Sequence, residues 1–201
     1  KDGSLERLPI QHVDTGMGLE RIVRVLQNKT SNYDTDLWIP IFEAIQNHTN
    51  APAYQGQLEN HVDIAYRVLA DHARCLVVAI ADGGRPGPAG REFVLRRILR
   101  RGVRHANQTL GVKGPLLYKL VPAVIETIGA TFLEIVSQQE LIEHIIKDEE
   151  ESFLTTLDRG LELFEKAVRD GDGKIIDARS AFALHDTYGF PIDLTEVMAE
   201  E

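Results

Sequence analysis

Apolar residues recur at positions 141, 142, 145, 146, 153, 154, 157, 161 and 164. Spacings of three and four over such a length place them on one face of a single long helix. The pattern predicts that helix from Ser137 to about Arg169, with Ser137 and Glu140 forming a capping box at its start. The acidic run Asp148–Glu151 within it reads as a solvated face. Val62 to Ala81 carries a second clear helical pattern, stopped by Gly83-Gly84. Shorter helices are expected over 18–27, 37–46 with Pro40 in the first turn, 116–128 with Pro122 as a kink, 180–185 and 193–201. Leu8 to Asp14 reads as a short strand; Asn47–Asn60, Arg85–Gly90 and Gly171–Gly173 read as loops or turns. Beyond the first strand the body is all α.

The segment Arg91–His105 holds six arginines in fifteen positions. Six arginines and one glutamate give it a charge of +5, so the rest of a chain with net charge −9 carries −14. On a helix, Val94, Leu95, Ile98, Leu99, Val103 and Ala106 share one half, and Arg96, Arg97, Arg100, Arg101 and Arg104 the other. The apolar half is expected to dock on the core and the guanidinium stripe to face outward. A row of guanidinium groups matches a row of phosphates, each offering paired hydrogen bonds to anionic oxygens. The same stripe also fits internal salt bridges with the abundant carboxylates, and spacing alone leaves both readings open.

Hydrophobic residues make up 43% of the chain, enough for a real core. No apolar run approaches the length of a membrane span. Cys75, the single cysteine, is flanked by Leu76, Val77 and Val78; it excludes an intrachain disulfide and reads as a buried structural thiol. The seven histidines form no metal-ligand spacing, so no metal is expected here. Trp38 and Phe42, four apart, read as core; Tyr66, Asp71 and His72 read as packing and hydrogen-bonding residues of the 62–81 helix.

Val13-Asp-Thr-Gly-Met-Gly-Leu-Glu-Arg21 reads as a strand, a Gly-x-Gly turn and a helix with Arg21 in its first turn. Glycines admit a ligand to the backbone, a helix start favours anions, and Arg21 could clamp a polyphosphate. No Gly-Lys-Ser/Thr follows, so it is not a P-loop. An ordinary tight turn with an ion-paired Glu20 and Arg21 fits the spacing equally well.

Asp14-Thr-Gly-Met-Gly-Leu-Glu-Arg21 resembles the third signature motif of class II aminoacyl-tRNA synthetases, in the form of the alanyl-tRNA synthetases. Ser31-Asn-Tyr-Asp-Thr-Asp36, Ala65-Tyr-Arg-Val-Leu-Ala-Asp-His72, Ile80-Ala-Asp-Gly83, Val94-Leu-Arg-Arg-Ile-Leu-Arg-Arg101 and Asp186-Thr-Tyr-Gly-Phe-Pro-Ile-Asp-Leu-Thr195 match that family in order. The resemblance implies a fragment of the synthetase: residues 1–30 from the end of the α/β catalytic domain and residues 31–201 from a helical tRNA-recognition domain. By the same resemblance Asp14 holds the α-ammonium of alanine and Gly16 keeps the pocket small. Gly18 admits ATP, and Arg21 binds its phosphates and stabilises charge as the adenylate forms. Mg2+ would accompany ATP in the parent, and zinc would bind only outside this chain. Arg91, Arg96, Arg97, Arg100, Arg101 and Arg104 are expected to hold the tRNA acceptor stem.

In the family an asparagine and an aspartate read a G·U wobble at the third acceptor-stem pair. Asp186 matches the aspartate, while Pro88 stands where the asparagine belongs. Proline has no side-chain donor or acceptor and no N–H, so backbone at Gly87, Ala89 or Gly90, or Asp186 with stem shape, must carry the readout. Tyr188-Gly-Phe-Pro191 is expected to fix the backbone that presents Asp186. The fragment alone is expected to be inactive, its parent working in the cytoplasm or in mitochondria. A non-catalytic RNA-binding module and a helical protein–protein scaffold are the alternatives.

Overall fold

The computed structural model describes residue 3, residues 5–171 and residues 175–200. Among these, nine α-helices follow one another: α1 (Leu19–Leu26), α2 (Ile39–His48), α3 (His61–Ala81), α4 (Gly90–Arg104), α5 (Val121–Ile128), α6 (Leu133–Ser137), α7 (Gln139–Asp170), α8 (Ala178–Asp186) and α9 (Ile192–Glu200). Short 3-10 turns lie at Asn32–Asp34 and Leu117–Leu120, and a π-helical turn at His105–Thr109 extends α4. The mainly α expectation holds. The strand expected at Leu8–Asp14 is not formed: that segment is irregular, with a bend at Pro9–Ile10, exposed and without a pairing partner among the described residues. A lone strand has no ladder to satisfy its backbone, so local β propensity cannot hold it. Asp172 and Gly173 of the expected 171–173 turn lie outside the described residues, as does Glu201.

Helix α3 is the hub, packed by α2, α4, α5, α6 and α7. Leu69, Ala70, Ala73, Leu76, Val77 and Ile80 of α3 are fully buried, meeting Ile41 and Ile45 of α2, Leu99 and Val103 of α4 and Ile142 and Ile146 of α7. Asn60 caps α3 by accepting from the N–H groups of Val62 and Asp63. Buried Asp63 then accepts from Gln55 and Gln57 N–H at 3.0 and 2.6 Å, while Arg67 donates to the carbonyls of Gln57 and Leu58. The polar 47–60 loop is therefore pinned to its own helix. Trp38 and Phe42 are core, as expected. Cys75 is not: it is exposed on α3, because its helical position faces away from the buried stripe.

The capping box at Ser137 does not form. Ser137 is the last residue of α6, its hydroxyl donating to the Glu134 carbonyl, and α7 begins at Gln139 without a side-chain cap. A one-turn helix directly before α7 absorbs the serine that sequence assigned to the cap. The acidic run on α7 is also not simply solvated. Glu150 is 1% exposed and accepts from the backbone N–H groups of Leu116, Leu117 and Tyr118 at 2.8–3.0 Å. It caps the 3-10 turn from a distance of more than thirty residues in sequence. Burial pushes its pKa up to about 7 against the pull of those three N–H groups.

Half-buried His72 has the opposite displacement. Desolvation, then the nearby Arg101 and His105 charges, lower its pKa to about 4 from 6.5. The unfolded chain therefore binds a proton that the folded chain refuses between about pH 6.5 and 4, so this contribution to stability is lost as pH falls through that window. We expect His72→Gln to flatten the acid side of the stability profile. The gain over the parent sequence should approach roughly 3 kcal/mol near pH 4. Chemical denaturation at pH 7 and pH 4.5 checks this; equal acid sensitivity of both proteins refutes it.

Candidate nucleic-acid and nucleotide site

Two regions bring some of the sequence-selected residues together, while Asp14, Arg91, Arg97, Arg101 and Arg104 line neither. The first is the start of α1. Asp14, Gly16, Gly18 and Arg21 are all exposed, and Gly16, Gly18, Arg21, Met17, Ile22 and Val25 border an open groove of about 460 Å3. No residue of α1 is buried, although Leu19, Ile22, Val23, Val25 and Leu26 give it a strongly apolar face. A Cβ at Gly16 would meet nothing within 4 Å, so the local fold does not itself require glycine there. Glu20 does not pair with Arg21, the bland reading of the motif. It pairs with Arg74 of α3 instead.

The second region is the cleft between α4 and the α8–α9 turn. Pro88, Phe93, Arg96, Arg100, His185, Asp186, Gly189 and Pro191 enclose about 280 Å3. Asp186 is exposed at the last position of α8, facing the same space as Pro88 of the loop before α4. The turn behind it is tightly held. Gly189 has φ +69, a left-handed conformation that favours glycine, and its carbonyl accepts from Arg100 Nη1. Thr156 Oγ1 donates to the Tyr188 carbonyl at 2.9 Å, and buried Phe190 packs against Phe153 at 5.6 Å between ring centroids. Phe190 sits directly on Gly160 of α7, where any Cβ would overlap its ring. The expectation that Tyr188–Pro191 supports Asp186 agrees with this packing.

The arginine stripe is divided rather than uniform. Arg100 donates from Nε and Nη2 to Glu149 Oε1 at 2.8 and 2.6 Å and lies over the Phe153 ring at 4.9 Å. Arg96 Nε stands 3.2 Å from the same carboxylate oxygen. Arg104 is only 7% exposed, its Nε bonded to Gln108, and Arg97 is half-buried with its guanidinium over Phe93 at 5.8 Å. Arg91 and Arg101 are exposed, and so is Val94, expected on the docked side. The correction has a geometric cause: α7 crosses α4 on the side that helical projection assigned to solvent, bringing Glu149 between Arg96 and Arg100. Sequence reasoning missed Glu149, Glu150, Arg74 and Gly160. Only the unusual run of four carboxylates at 148–151 hinted at the first two.

With this geometry described, comparison with known proteins gives the class. Residues 1–201 match the family of class II tRNA synthetases (A), and the chain belongs to that family. Among its relatives is the cytoplasmic alanine–tRNA ligase of Drosophila melanogaster, 50% identical over 205 residues, with 100% of this chain and 21% of the fly protein covered. The alanine–tRNA ligase of Chlorobium phaeobacteroides is 51% identical over 203 residues, covering 100% of this chain and 23% of that protein. That of Schizosaccharomyces pombe is 49% identical over 209 residues, covering 100% and 22%. The chain thus spans about a fifth of the length of the curated relatives it matches.

Proposed function

We propose that this chain is part of an alanine–tRNA ligase, which activates alanine with ATP and transfers it to tRNA(Ala). In this reading residues 1–30 close the catalytic domain and residues 31–201 grip the acceptor stem. A cytoplasmic setting fits the names of the fly and Caenorhabditis elegans relatives. One observation carries the reading: Pro88 and Asp186, almost a hundred residues apart in sequence, share one cleft with Arg96 and Arg100. Such a cleft puts an acceptor for base-edge donors beside guanidinium groups, the pairing that minor-groove readout of an RNA stem needs.

At the other site, Asp14 holds the α-ammonium of alanine by charge, and Gly16 borders the small pocket for its methyl group. Gly18 lets ATP approach the backbone at the start of α1, where unpaired N–H groups favour phosphate. Arg21 neutralises the phosphates as the carboxylate of alanine attacks, a charge that an exposed guanidinium in this position is suited to meet. Mg2+ would neutralise the same phosphates.

The cleft reading is tested with an acceptor-stem minihelix carrying G·U or a Watson–Crick pair at the third position. Binding should prefer the wobble stem and weaken steeply as salt rises, because phosphate contacts release counterions. Asp186→Asn should lower kcat/KM for alanylation by the full-length protein roughly tenfold or more, a loss of one base-edge contact of about 1–3 kcal/mol. A flat salt response with no preference between stems would leave the helical scaffold as the better account.

A further inference from the structure

We infer that Arg74 is the residue that positions Arg21, by latching the α1 helix to the helical body. The inference rests on the reading of Arg21 as a phosphate-binding residue. Helix α1 buries none of its side chains, so packing does not fix its direction. Polar contacts at its two ends do. At the far end Gln27, the C-cap, donates to Asp36 Oδ1 at 2.6 Å and accepts from the Asp36 N–H at 3.2 Å. At the near end Glu20 Oε1 accepts from Arg74 Nη2.

Glu20 immediately precedes Arg21, so the carboxylate's grip sets the rotation of the turn that carries the phosphate-binding guanidinium. Arg74 is itself immobilised. Its guanidinium carbon lies 4.0 Å from the centroid of the Trp38 ring, and Trp38 is almost wholly buried at the N-cap of α2. The arginine is therefore stacked on a core side chain and aimed at α1. Gly18, Glu20, Arg21, Asn32, Tyr33, Trp38, Asp71 and Arg74 surround one polar cavity of about 470 Å3 at this junction. Helix α3 carries Arg74 on this side and packs along the arginine helix α4 on another, so it joins the two sites physically.

The test uses the full-length protein and alanine-dependent ATP–pyrophosphate exchange, with tRNA affinity and melting temperature measured alongside. Arg74→Met keeps the length of the stem and removes the latch; Glu20→Gln weakens it from the more exposed side, keeping an acceptor oxygen but removing the charge. Both should lower kcat or raise KM for ATP by roughly tenfold to a hundredfold, the usual cost of a small misplacement, with tRNA affinity unchanged. Arg74→Lys should recover part of the loss, since an ammonium can pair with Glu20 but not stack as a plane. Arg21→Ala is the control. If it abolishes exchange while Glu20→Gln and Arg74→Met leave the ATP parameters unchanged, the positioning role is overturned and the phosphate-site reading stands. If Arg21→Ala leaves exchange intact, both fall. Equal losses of exchange, tRNA affinity and melting temperature would mark Arg74 as merely structural and overturn the inference.

Discussion

Glu150→Ala is expected to cost about 3 to 5 kcal/mol of stability, the loss from stranding two buried N–H donors and a third, half-buried one at once. Leu116 and Leu117 donate to one oxygen of this carboxylate and Tyr118 to the other. The 3-10 turn they open leads straight into α5, whose first turn contains Pro122, so the start of two consecutive elements depends on one distant side chain. Glu150→Gln should cost less, about 1 to 2 kcal/mol: its amide oxygen can serve Leu116 and Leu117, but its NH2 group then faces the Tyr118 N–H. The pH response supplies a second reading. The folded pKa near 7 lies above the ordinary 4.5, so the folded state holds the proton more tightly than the unfolded one. Stability from this group is present in full below about pH 4.5 and is lost as pH rises through 7. Urea denaturation of the three proteins at pH 5.5 and pH 8 measures both effects. An alanine variant within 1 kcal/mol of the parent sequence would show that water replaces the carboxylate without loss.

Arg100→Ala is expected to release the Asp186 turn and to cost about 3 kcal/mol, because it leaves the Gly189 carbonyl without its donor and the half-buried Glu149 carboxylate with Arg96 as its one remaining cation. The guanidinium bridges Glu149 of α7 and the Gly189 carbonyl while lying over Phe153, three contacts that converge from different elements. Arg100→Lys should recover only part of this, since a point charge cannot span both acceptors. Acceptor-stem binding by the full-length protein should fall for Arg100→Ala as it does for Asp186→Asn, with loss of preference for the wobble stem. Arg101→Ala gives the contrast. It lies exposed on the same helix, so stability should hold while the salt slope of RNA binding drops by about 1. If Arg100→Ala keeps both its stability and its stem preference, the turn is held by Thr156 and Phe190 alone.

These two glutamate-centred arrangements explain where sequence reading stopped. Residues 148–151 look alike in sequence, and all four lie on exposed-looking turns of a long helix. Glu149 meets Arg96 and Arg100, and Glu150 meets the 3-10 turn, because α7 packs against both α4 and residues 117–120. No local spacing encodes that crossing. The arginine stripe was legible as a helix from its periodicity, yet the projection treated everything opposite the apolar half as solvent. One face of α4 was in fact met by α3 and another by α7 and the Gly189 turn. The expected strand at 8–14 failed for the converse reason: strand formation needs partners that this chain does not supply among the described residues.

Sequence alone determined what depends on short-range physics and on shared motifs. The three-and-four spacing placed every described helix except α6 within a few residues, Gly83-Gly84 ended α3, and the ordered motifs from Asp14 to Thr195 pointed to the family that comparison confirmed. Tertiary structure decided which charges face solvent and which face one another. It paired Glu20 with Arg74 rather than Arg21, buried Glu150, split the arginine stripe, and brought Pro88 beside Asp186. Side-chain pairing energy falls steeply with distance and solvent access, and only the crossing of helices far apart in sequence sets both.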